Sequence, residues 1–118
     1  MRCGSRADRG SATAEIAVAL PSLLVVLGVA LAAVQAAAAH LACVDAARVG
    51  ARALARGEPD SAVLSLIERV APEQAEAELS EDEGLARVVV SSPVELGPGI
   101  AAPYRVAGEA AVPVEPDR

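Results

Sequence analysis

Three groups of residues have types that could do chemistry. His40 and Cys43 stand three apart, a spacing that puts them on one face of a helix. A thiol nucleophile needs a base, an orienting third group and a basin for substrate. Alanines surround His40, so it reads as an interfacial or packing residue. Glu81-Asp82-Glu83 gathers three acids, but without the alternating oxygen ligands of a calcium loop; it reads as a solvated turn. Glu15 is different. The charges stop there, and no Asp, Glu, Lys or Arg follows until Asp45. A carboxylate at the head of an apolar helix is stabilised by the helix dipole, by about 0.3–1 kcal/mol. A carboxylate at the edge of a membrane segment is also costly to push into lipid. Cys3 and Cys43 are the only cysteines and give neither a disulfide framework nor a metal spacing. The expectation is a structural protein, not an enzyme, with no catalytic residue, no cofactor and no metal.

The element that must position Glu15 is a long helix. Residues 16–39 carry no formal charge, and only Ser22 and Gln35 interrupt them as polar residues. That exceeds the roughly 20 residues that cross a bilayer core. Ile16, Leu27 and Val34 mark the apolar run. Pro21 removes one backbone hydrogen bond early in it. Arg2, Arg6 and Arg9 precede the run with only Asp8 opposing them, which predicts a cytoplasmic N-terminus. Alanine-rich sequence carries the helix on to Arg56, and Gly57 with Pro59 ends it. From Glu15 to Arg56 such a helix is roughly 60 Å long, half in lipid and half projecting outward. Arg48, Arg52 and Arg56 recur every four residues as a stripe, suited to solvent or to anionic lipid heads. Ala47, Ala51 and Ala55 form a neighbouring small-residue stripe that permits close helix packing.

Gly10 stands five residues before Glu15, behind a short basic leader. This spacing resembles the processing site of type IV pilin-like proteins. Glu15-Ile16-Ala17-Val18-Ala19-Leu20-Pro21 is similar to the start of TadE-like minor pilins of the tight-adherence (Flp, type IVb) pilus system. Asp45-Ala46-Ala47-Arg48-Val49-Gly50-Ala51-Arg52 also resembles that family's segment just past the membrane. The resemblance covers roughly residues 9–56. Ile16 departs from it, since the family usually has Phe there. The resemblance implies cleavage between Gly10 and Ser11 by a prepilin peptidase. It also implies that Glu15 pairs with the new amino terminus of a neighbouring subunit. The implied partners are that peptidase, the pilus platform protein, and the major and other minor pilins, with membrane lipid around the helix.

After Gly57 the periodicity changes. Asp60-Ser61 is expected to cap a second helix that runs to about Ala71, with Val63, Leu64, Leu66, Ile67 and Val70 as its apolar face. Ala75, Ala77 and Leu79 alternate with Glu76, Glu78 and Ser80, residues 81–84 read as a turn, and Val88-Val89-Val90 signals a strand. Residues 93–103, with Gly97-Pro98-Gly99, read as a loop. Val106, Gly108, Ala110, Val112 and Val114 fall on one face of a last strand. The predicted fold class is α+β: a long N-terminal membrane-spanning helix, then a small domain with one helix on a short antiparallel sheet. The predicted divisions are a leader at 1–10, the transmembrane and projecting helix at 11–57, and an acidic extracytoplasmic domain at 58–118.

Charge separates these parts. Residues 1–56 carry six Arg against three acids, and residues 57–118 carry thirteen acids against four Arg. So acidic an outer domain repels nucleic acid. With no Trp or Phe and a single Tyr, its core must be built from small aliphatic residues. The expected location is the bacterial inner membrane, single pass, with possible entry into a surface pilus. Two alternatives stay open. One is a secreted soluble domain whose signal peptide is cut among the small residues at 37–42, although the apolar run exceeds an ordinary signal core. The other is an uncleaved single-pass anchor presenting a binding domain.

Overall fold

The computed structural model describes residues 4–116, with side chains from Asp8 onward. Arg2 and Cys3 of the leader, and the side chain of Arg6, lie outside that description. Five elements follow one another: α1 (Gly4–Ala55), α2 (Asp60–Val70), β1 (Glu76–Asp82), β2 (Leu85–Gly97) and β3 (Ile100–Pro113). The strands form one antiparallel sheet in the order β1-β2-β3. This is the α+β arrangement that the periodicities predict.

The sequence places the start of the first helix at Glu15, whereas α1 already includes the leader from Gly4. Nothing between Gly4 and Glu15 forbids helix: Gly10 costs about 1 kcal/mol relative to alanine, and no proline precedes Pro21. The helix passes through Pro21. Its far end closes as a Schellman motif. Gly57 adopts φ 80°; its N–H donates to the Leu54 carbonyl at 2.9 Å, and the Glu58 N–H donates to the Ala53 carbonyl at 3.2 Å.

The chain divides into two compact units, one ending at Ala33 and one beginning at Val34. In the first, the large apolar side chains of α1 are exposed, among them Ile16, Leu23, Val25 and Leu27. Val34 and everything after it belong to the second. The boundary drawn at residue 57 therefore falls inside a compact unit. The outer part of α1 does not project free; it is a wall of the core.

That core is assembled from small residues. Cys43, Ala46, Ala47, Ala51 and Leu54 of α1 are buried with Val63 and Ile67 of α2, and with Ala86, Val88 and Val90 of β2. Alternation in β2 sends residues 86, 88, 90, 92 and 94 inward. On β3 the predicted inward set of Val106, Gly108, Ala110 and Val112 is the packed face, with Gly108 buried and the others half-buried. Two glycines set how closely the layers approach. A Cβ on Gly108 would lie 2.3 Å from the Val44 nitrogen and 2.5 Å from the Cys43 carbonyl carbon. The helix backbone rests on the strand at that point. A Cβ on Gly50 would meet Ile67 Cδ1 at 2.7 Å and Val88 Cγ1 at 3.3 Å.

Three local expectations change. Asp60 does not cap α2: the N-cap is Pro59, with no side-chain cap bond. The Pro59 carbonyl accepts from the N–H groups of Ala62 and Val63, and Asp60 lies in the first turn, where its charge favours the dipole. The turn after β1 is shorter than 81–84. Asp82 pairs with Leu85, leaving Glu83 and Gly84, both at positive φ, as a two-residue hairpin turn. Residues 93–103 are not a loop. β2 runs on to Gly97, only Pro98 and Gly99 turn, and β3 starts at Ile100.

Candidate functional site

The residues singled out at the head of α1 lie on one exposed stretch of helix. Gly10, Ser11 and Glu15 are all exposed. A Cβ built on Gly10 meets nothing within 4 Å. Ser11 and Glu15, four apart, share a helical face. Gly10 is about 140° around the axis from Glu15, at about 100° per residue. The bond between Gly10 and Ser11 is therefore sterically open but helical. A hydrolase that acts on an extended backbone must unwind this turn, which glycine makes easier. Within the site Thr13 Oγ1 donates to the Arg9 carbonyl, and further along the helix Ser22 Oγ donates to the Val18 carbonyl, both at 2.9 Å. These bonds hide two hydroxyls along the helix wall.

The run below Glu15 presents its apolar side chains outward. Ile16, Leu27 and Val34 are 59%, 54% and 66% exposed, and Pro21 is exposed as well. α1 is long and apolar enough to cross a membrane, and its most apolar stretch is unburied. An exposed apolar surface of this extent marks a face for contact with a membrane or another protein.

The segment at 45–52 is divided by helical face. Ala46, Ala47, Gly50 and Ala51 point into the core, whereas Asp45, Arg48 and Arg52 are exposed. Asp45 and Arg48 form an ion pair at 3.9 Å, with both side chains 64% exposed. Such a pair contributes at most about 1 kcal/mol. Arg56 reaches Glu58 at 2.5 Å. The small-residue stripe thus serves the chain's own sheet and α2, not a second membrane helix.

His40 and Cys43 are not brought together. His40 is exposed, and Cys43 is fully buried in the core. The acids at 81–83 divide between the end of β1 and the hairpin turn. Among the described residues, no group of three or more His, Cys, Asp or Glu side chains is placed to hold a metal ion. Arg87 pairs with Glu109 across β2 and β3, and Arg105 pairs with Glu76 at 3.5 Å. These pairs cover the outer face of the sheet.

The sequence reading missed an apolar surface. Leu96, Ile100 and Tyr104 flank the Pro98-Gly99 turn and are 41%, 59% and 49% exposed. Its available signal was an uncharged stretch at 96–104 inside an otherwise acidic domain. Comparison with family models, with curated proteins and with solved structures finds no match to this chain.

Proposed function

We propose that this chain is a structural pilin-like subunit, a TadE-like minor pilin or pseudopilin of a type IVb pilus or related secretion machine. The observation that carries the reading is the Gly10-to-Glu15 spacing at the head of an uncharged apolar helix. The similarity at 45–52 supports it. A prepilin peptidase cuts between Gly10 and Ser11. The apolar helix holds the subunit in the inner membrane, with its acidic unit on the extracytoplasmic side. After cleavage, Glu15 meets the free amine of a neighbouring subunit. Two unpaired ions in an apolar setting are unfavourable and a paired set is tolerated, so the pair selects register between helices. The platform protein and other pilins are the partners, and assembly force reaches the subunit through the platform.

The test is the mass of the mature N-terminus after coexpression with the matching peptidase. Ser11 as first residue is the expected result. A start near residue 40 identifies a secreted domain, and an intact Met1 identifies a simple anchor; either result overturns the proposal. Gly10→Val should block shortening while leaving membrane insertion intact. Glu15→Ala should be shortened normally but lose crosslinks to pilin partners.

A further inference from the structure

The β2–β3 hairpin ends in a surface that the acidic unit does not need for its own core. Residues 96–104 are the longest uncharged run after Gly57. They include the only aromatic residue of the chain, Tyr104. Within the run only Ala102 is buried, whereas Leu96, Ile100 and Tyr104 are about half exposed. By alternation Leu96 continues the inward series of residues 90, 92 and 94, and it emerges where that series runs out of cover.

The direction of the hairpin says what it faces. Val88 of β2 lies beside Gly50 of α1. Further along the strand, residues 92–95 share a cleft with Gln35, Ala38 and Ala39 of α1. β2 therefore runs toward the end of the unit where the helix enters it at Val34. From Val94 the strand continues to Gly97, about 10 Å further at the usual rise. The register shifts between Pro93 and Glu95 and again between Glu95 and Gly97. Such irregularities bend and twist a hairpin. Pro98 and Gly99, the latter at φ 76°, close it tightly. The tip and the entry of α1 at Val34 thus lie at one end of this unit, and the charges flanking the tip, Glu95 and Arg105, lie behind it.

We infer that the hairpin tip is a second membrane contact: residues 96–104 insert into the boundary between lipid headgroups and acyl chains. Leu96 and Ile100 provide the apolar wedge. Tyr104 provides an amphipathic ring suited to that depth. Arg105, held by Glu76 at 3.5 Å and by Ser91 Oγ at 3.3 Å, marks the level of the polar surface. A helix alone lets the domain swivel about its axis; a second point of insertion fixes its azimuth and tilt. The inference rests on the reading that α1 spans the bilayer.

Tyr104 is itself the probe, because the chain has no Trp. The full chain is reconstituted in phosphatidylcholine vesicles whose acyl chains carry bromine either near the headgroup or near the bilayer centre. Tyr104 emission should be quenched strongly by the shallow bromine and weakly by the deep one. Ile100→Glu, an exposed position, should reduce the shallow quenching several-fold while leaving the circular dichroism unchanged. A separate Leu27→Trp sample reports the helix, and deep bromine should quench it. If Leu27→Trp is quenched and Tyr104 is not, the tip lies in water or against protein, and the inference is overturned with the spanning helix intact. If neither is quenched, the spanning reading fails and the inference fails with it. Undiminished Tyr104 quenching in Ile100→Glu also overturns it.

Discussion

The two stretches of α1 are both rich in apolar residues and use them in opposite ways. From Ile16 to Leu31 the apolar side chains are mainly Leu and Val, and the large ones remain exposed. Between Cys43 and Ala55 the buried residues are Cys, Ala and Gly, with Leu54 as the one large member. Charge separates these stretches, since Asp45, Arg48 and Arg52 lie in the second and no charged residue lies between Ile16 and Ala33. So does the size of their apolar residues. A lipid-facing helix gains by presenting bulk to acyl chains, whereas a helix laid on a sheet gains by letting the layers approach. The close contact at Gly108 is the limit of that second strategy.

The largest test of this contrast is truncation. A fragment of residues 34–118 should unfold cooperatively in urea, and a fragment of residues 58–118 should show no cooperative transition. Without α1, the inward side chains of Val88, Val90 and Val94 lose their cover, each worth about 1.5–3 kcal/mol when fully buried. A cooperative transition in the shorter fragment would break the comparison.

Next is Gly108→Ala. Its Cβ would overlap helix backbone, which cannot rotate away as a side chain can. We expect a loss of about 3 kcal/mol, at the upper end of ordinary overpacking, measured as a shift in the urea midpoint of residues 34–118. Gly50→Ala should cost less, about 1–2 kcal/mol, because its Cβ meets the movable end of Ile67. Ile67→Val in that background should return part of the loss, detected as coupling in a double-mutant cycle. The smallest effects belong to the exposed stretch and the exposed charges. Leu24→Ala should leave the unfolding of the C-terminal unit within about 0.5 kcal/mol. The coupling of Arg87 to Glu109, by a double-mutant cycle at low and high salt, should stay below about 1 kcal/mol and fall as salt rises.

What was legible in the sequence depended on period. The strand at the end of the chain was readable because Val106, Val112 and their inward partners alternate, and the helix stop was readable from Gly57. Prolines concealed the hairpin. Pro93 suggested a loop, yet β1 begins only at Glu76, opposite Ser91. Beyond that point β2 has a neighbour on one side only, and a strand with a free side accommodates proline. Pro103 lies on β3, an edge strand, where the pairing is already irregular. Glu81 and Asp82 concealed the end of β1, since acids are poor strand formers. That the second unit begins at Val34, inside α1, was not read because the helix runs on unbroken there; the mark in the sequence is the shift from large to small apolar residues. Gly108 offered a clue, because a glycine inside an alternating strand signals close backbone approach. At the head of α1, Gly10, Ser11 and Glu15 are exposed. The helical state of the leader was not legible, since the sequence reading began the helix at Glu15 and the leader lacks a break.

The lengthwise alignment of β2 with α1, from Gly50 beside Val88 to the cleft between Ala39 and Val94, has a mechanical consequence. A pull along the helix axis loads this contact in shear. All of its side chains must then slip together, where a pull across the axis would part them one row at a time. Beside that contact, Gly108 of β3 and the helix backbone interlock like a key in a slot, and a key resists sliding better than lifting. A chain tugged along α1 should therefore yield at higher force than the same chain peeled sideways from Pro113. Single-molecule extension with handles in those two geometries would measure the difference.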